Sequence, residues 1–142
     1  MWYVALVFFV ILGPLIFWLM WREDFDGMQS EWRYYRACKS RQPLSLDDFY
    51  AEFFASSGIE KSTIGGLKEI VAELYGVQGP LIRPEDNYPR IFDADDELIE
   101  AIEGRFGIAM KNDDLSRIDG SFNSIARYVQ FRLNPVPGPN GT

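Results

Sequence analysis

The sequence predicts an all-α protein: a single N-terminal transmembrane helix followed by a small helical bundle. Three observations carry this. Met1 to Trp21 holds no charged side chain. Further on, apolar residues recur at three- and four-residue spacing, as on one face of a helix. Glycines such as Gly76 and Gly107 stand where those stripes end, the usual place of a left-handed helix cap.

The first element is the apolar run. About 20 apolar residues cross a bilayer core, and Met1–Trp21 meets that length. Trp2 and Tyr3 lie at one end, Trp18 and Trp21 at the other, as in aromatic belts. Gly13-Pro14 falls in the middle, where a membrane helix tolerates a kink. A cleaved signal peptide would want a basic start, a shorter apolar run and a small-residue cleavage site, none of which is clear here. Arg22, Arg33, Arg36, Lys39 and Arg41 follow the run and no Lys or Arg precedes it. The positive-inside rule then puts the protein in the cell membrane, single-pass, with its soluble domain in the cytoplasm. One cysteine, Cys38, suits a reducing compartment. It is an inert thiol or, being on the cytoplasmic side, a palmitoylation site.

Residues 22–44 form a juxtamembrane segment, with Trp32, Tyr34 and Tyr35 among mixed charges. It is either a helix lying near the headgroups or a spacer. The helical domain spans 45–133. Ser45, with Asp47 and Asp48 behind it, caps a helix to about Phe54, offering Leu46, Phe49, Phe53 and Phe54 for burial. Ser62 or Thr63 caps the next, which runs to Tyr75 with Ile64, Leu67, Ile70, Val71 and Leu74 as its stripe. Gly65-Gly66 softens its start. A loop with three prolines follows, in which Ile82 and Tyr88 dip into the core and Pro84-Glu85-Asp86 turns.

The stretch Asp95–Gly107 is the helix the others need to pack on. Asp95, Asp96 and Glu97 favour the positive end of its dipole, and Leu98, Ile99, Ile102 and Phe106 make its stripe. Ile108 and Met110 continue an extended link, and 112–118 adds a turn or two of helix. Gly120-Ser121 opens the last helix, with Phe122, Ile125, Tyr128 and Val129 inward. The tail 134–142, rich in proline and glycine, is expected to be disordered.

Composition narrows the chemistry. From Pro43 onward there are 17 acidic and 9 basic side chains, net −8. That disfavours nucleic acid as a partner. The chain has no histidine, which removes Ser-His and Cys-His catalysis and imidazole metal ligands. With no glycine-rich phosphate loop and no recognisable nucleophile, an enzyme is not expected. The densest acidic cluster is Asp93, Asp95, Asp96 and Glu97. Carboxylates opening a helix need no metal, and no EF-hand pattern surrounds them.

The stretch from about Ile64 to Val129 resembles the acyl carrier protein superfamily. LKEIVAELYGV is similar to the first carrier helix, ELIEAIEGRFGI to the second, and DLSRIDGSFNSIARYV to the third and the opening of the fourth. The resemblance implies a four-helix carrier-like bundle that meets basic patches on its partners through the second helix. Carriers bear a serine in an Asp-Ser-Leu motif before that helix, holding a phosphopantetheine arm. Here Phe92 stands near that position, within Arg90-Ile91-Phe92-Asp93-Ala94-Asp95. No cofactor is therefore expected. Phe92 plugs the core or stands exposed as a contact. Ser116, Ser121 and Ser124 read as caps and surface positions.

The expected function is a non-catalytic, membrane-tethered module. It docks a cytoplasmic or membrane protein bearing a basic patch, through Phe92, Asp93, Asp96, Glu97, Glu100 and Glu103. Its other partner is the lipid bilayer. The alternative is a working membrane-bound acyl carrier with an atypical attachment site, and a permanent subunit of a membrane assembly differs from the first mainly in lifetime.

Overall fold

The structure is a computed structural model that describes residues 13–14, 29–92, 95–110 and 118–135. The expected membrane helix at 1–21, apart from the helical pair Gly13-Pro14, lies outside the described residues, as do 112–117 of the short helix and 136–142 of the tail. Among the described residues, no helix is long and apolar enough to cross a membrane. The described secondary structure is helical, with a single isolated bridge between Asn87 and Ser121.

Helical backbone at 29–38 forms α1. It is followed by α2 (Leu46–Phe53), α3 (Lys61–Tyr75), a 3-10 turn (Gly79–Leu81), α4 (Tyr88–Phe92), α5 (Asp95–Phe106) and α6 (Phe122–Leu133). Ser45 caps α2 by accepting from Asp48 N at 3.1 Å, and Ser121 caps α6 by accepting from Ser124 N at 3.2 Å. Gly76 and Gly107 end α3 and α5 with φ of +62° and +65°.

The hub is α3, which packs against α2, α5 and α6. This differs from the expectation that α5 would organise the bundle. The reason is burial: α3 is longer and buries Thr63, Ile64, Gly66, Leu67, Lys68, Ile70, Val71 and Tyr75, more than one face. On α5, Leu98 and Ile102 are buried while Ile99 and Phe106 are half-buried. Gly66 lets α5 approach, since a Cβ there would stand 3.0 Å from Phe106 Cζ.

Two cap expectations change. Neither Ser62 nor Thr63 caps α3; the N-cap is Glu60, with no side-chain cap of its own. Gln130 of α6 serves that end instead, its Oε1 accepting from Glu60 N (2.9 Å) and from Thr63 Oγ1 (3.0 Å). Thr63 is free for this role because it faces the core. On α2, Phe49 and Phe54 are buried, but Leu46 and Phe53 remain 37% exposed. Phe49, Phe54 and Phe122 form an aromatic cluster with centroids 5.5 to 6.3 Å apart.

The juxtamembrane stretch contributes to the same core, since Tyr34 and Cys38 of α1 are buried in it. Ile82 and Tyr88 are fully buried, as expected of the proline-rich loop. Tyr88 stacks on Tyr75 and meets the edge of Tyr34, both at 5.7 Å.

Candidate functional site

The outward face of α5 is the candidate site. With Leu98 and Ile102 inward, a 3.6-residue period turns Asp96, Glu97 and Glu100 to solvent, and all three are exposed. Among the described residues no cation pairs with them. Glu103 behaves differently. It is half-buried and its Oε1 accepts from Met110 N at 2.6 Å, holding the link that leaves the helix. The chain that folds back after Gly107 covers it there. Asp93 and the side chain of Phe92 lie outside the described residues; the backbone of Phe92 closes α4. Arg105 and Glu69 pair at 2.7 Å where α5 meets α3.

Three exposed carboxylates on one short helix create a negative surface potential. Such a surface steers basic partners and weakens with salt. Among the described residues no cluster of three metal-ligating side chains occurs.

Beside this face, α4, α5 and α6 border an open cavity of about 440 Å³. Leu98, Ile99, Ile102, Met110, Ile118 and Ile125 line it, with Asn87, Arg90 and Asp119 among its polar members. Asn87 and Asp119 are locally tied. Asn87 Oδ1 accepts from Arg90 N (3.0 Å), and Asn87 Nδ2 donates to Asp119 O (2.6 Å). Hydrogen bonds from Ser121 and Ser124 lower the Asp119 carboxyl to about 2. Ser121 and Ser124 are thus committed to the start of α6, and Ser116 lies outside the described residues.

One constellation escapes the sequence. Arg41 grips Asp86 with both terminal nitrogens (2.7 and 2.6 Å), and Tyr88 Oη donates to Asp86 Oδ2 (2.9 Å). Arg83 N donates to the same oxygen (2.9 Å), and the hydroxyls of Tyr34 and Tyr88 lie 3.1 Å apart. Asp86 is buried, and hydrogen bonding to it raises the Arg41 pKa. Burial raises the pKa of both Tyr88 and Tyr34, so both stay neutral at physiological pH. In sequence, Asp86 looks like a turn residue beside Pro84, and its partner Arg41 is 45 positions away. No local signal joins them. The network ties α1 and Arg41 behind it to the proline-rich loop.

Comparison with protein-family models, curated proteins and solved structures finds no match for this chain.

Proposed function

We propose that this protein is a membrane-tethered, non-catalytic interaction module whose carrier-like helical domain docks a partner protein bearing a basic patch. The observation that carries this is the set Asp96, Glu97 and Glu100, exposed and without a cationic partner among the described residues. The apolar run Met1–Trp21 supports the tether, and the basic residues after it support a cytoplasmic domain. Tethering raises the domain's effective concentration at the membrane surface. Phe92 and Asp93 stay in the proposed contact through their place just ahead of α5, whereas Glu103 holds the α5 exit and is better left untouched in tests.

The test is photo-crosslinking in the native membrane from an aromatic azide placed at Glu100. A discrete adduct with one protein is expected. It should disappear when Asp96 and Glu97 are both changed to Lys around the azide, and persist when the exposed Glu52 and Glu73 are changed instead. An adduct that survives the α5 reversal would sink the reading.

A second reading is favoured by one observation, the apolar cavity beside α5. A volume of about 440 Å³ suits a small ligand or an acyl chain. Under this reading the protein is a membrane-bound acyl carrier with an atypical attachment site. Intact mass of the protein extracted from its own membrane decides it: an excess of one phosphopantetheine, with or without an acyl chain, establishes the carrier, and a mass equal to the sequence removes it.

A further inference from the structure

The outer face of α1 offers a second contact, distinct from α5. Tyr34 and Cys38 turn into the core, so the opposite side of the helix is fixed. That side carries Trp32, 64% exposed, and Tyr35, 44% exposed, together with exposed Arg33, Arg36 and Lys39. Among the described residues Arg33 donates to Gln29, one turn back on the same helix (3.3 Å). Glu31, the helix's one acid, is half-buried. Arg33 and Arg36 on the helix, Lys39 just past its end and two large amphipathic aromatics thus lie on the outward side of this segment, on a protein whose chain from Pro43 onward carries net −8.

We propose that this face lies on an anionic lipid surface and orients the domain against the membrane. Charge complementarity is the first argument. The acidic domain is repelled by an anionic leaflet unless it turns a basic face toward it, and α1 presents such a face. Chain length is the second. Seven residues, Arg22–Met28, separate the apolar run from residue 29. Even fully extended they reach on the order of 25 Å, so α1 stays near any bilayer that holds the run. Chemistry is the third: Trp and Tyr flanked by Lys and Arg suit the headgroup boundary, apolar bodies down and charges among phosphates. The proximity argument rests on the proposed tether; the charge and aromatic arguments do not. Docked this way, α1 holds the whole domain in one attitude, because Tyr34, Cys38 and Arg41 fasten the helix to the core.

The test uses the full chain with Trp2, Trp18 and Trp21 changed to Phe, leaving Trp32 as the one indole. It is reconstituted into vesicles of phosphatidylcholine alone, or of phosphatidylcholine with phosphatidylglycerol, each with and without brominated acyl chains. Trp32 emission should shift to the blue and be quenched by brominated lipid in the anionic vesicles, and much less in the neutral ones. Adding Arg33→Glu, Arg36→Glu and Lys39→Glu should abolish that contrast while leaving far-UV circular dichroism unchanged. Trp32 that stays water-exposed in both lipids, or is quenched equally in both, overturns the proposal. Flotation separates the tether from the face. Protein and charge-reversed variant floating alike on neutral vesicles shows that the tether holds whatever Trp32 does. Flotation on anionic vesicles alone, lost on charge reversal, supports the face and removes the tether. Flotation on neither overturns both.

Discussion

Lys68 is a buried cation with no hydrogen-bond acceptor at its Nζ among the described residues. It is 7% exposed, and its Nζ sits 4.0 Å from the centre of the Phe49 ring. Burial, helped by the nearby Arg83 charge, lowers its pKa from the ordinary 10.5 to about 8. The sign follows from proton uptake. Below pH 8 both folded and unfolded amines are protonated, and the domain carries the full cost of the buried charge. From 8 to 10.5 the unfolded chain binds more protons, so stability rises with pH. The cost at pH 7 is on the order of 3 kcal/mol, offset in part by the ring, worth about 0.5–2 kcal/mol. Lys68→Met should therefore stabilise the domain by about 1–3 kcal/mol at pH 7, and its advantage should shrink as pH approaches 10.5; urea unfolding at pH 7 and 10 reads both. Asp86 has the opposite character, a buried charge with every partner in place. Asp86→Ala leaves Arg41 facing a void and should cost about 3–5 kcal/mol in the same assay. Gly120 is a third sensitive residue. Its φ is +79°, and a Cβ there would meet Asn87 Oδ1 at 2.8 Å. Gly120→Ala should lose about 1–3 kcal/mol and disturb the rim of the cavity.

At the scale of elements, what was legible in the sequence is what is local. Ser45 and Ser121 cap the helices they precede because the bond spans three residues. Gly76 and Gly107 end helices because a left-handed residue is a one-residue event. The outward set Asp96, Glu97 and Glu100 follows from Leu98 and Ile102 by period alone. Whatever needs a distant partner was not legible. Thr63 looks like a cap but is a core residue bonded to Gln130, 67 positions on. Glu103 looks like its exposed neighbours until the chain folds back and Met110 N reaches it. The order of importance of α3 and α5 was also hidden, because periodicity records one apolar face and α3 buries more than one. The Gln130 contact makes a prediction at this scale. Gln130→Ala removes the acceptor for Glu60 N and leaves Thr63 Oγ1 buried without it, so α3 should lose about 1–2 kcal/mol. Gln130→Glu keeps an acceptor and should lose less. Amide hydrogen exchange should show the change first in the opening turn of α3.

At the scale of the molecule, α1 decides where the folding unit begins. If residues 29–41 only lifted the domain from the membrane, deleting them would leave its stability unchanged. The contacts argue otherwise. Tyr34 and Cys38 belong to the core, Tyr34 covers the edge of Tyr88, and Arg41 neutralises the buried Asp86. Arg41 Nη1 also donates to Leu81 O at 2.9 Å, so the segment is tied to the proline-rich loop at its backbone as well as at Asp86. Removing residues 1–28 should leave one cooperative urea transition. Removing 1–41 takes the Arg41 partner from Asp86, about 3–5 kcal/mol alone, and uncovers Tyr88 besides. Domains of this size hold only about 5–15 kcal/mol in total. The shorter chain should therefore lose most of its stability, seen as a midpoint shifted far toward zero urea or a broad transition with a reduced slope. Asp86→Leu placed in that shorter chain removes the orphaned charge and should recover part of the loss, which separates the electrostatic share from the lost packing of Tyr34. Equal midpoints for the two truncations would show that α1 is an appendage. The predicted difference makes α1 a rigid part of the domain, so that any surface holding α1 also sets the direction in which α5 presents its carboxylates.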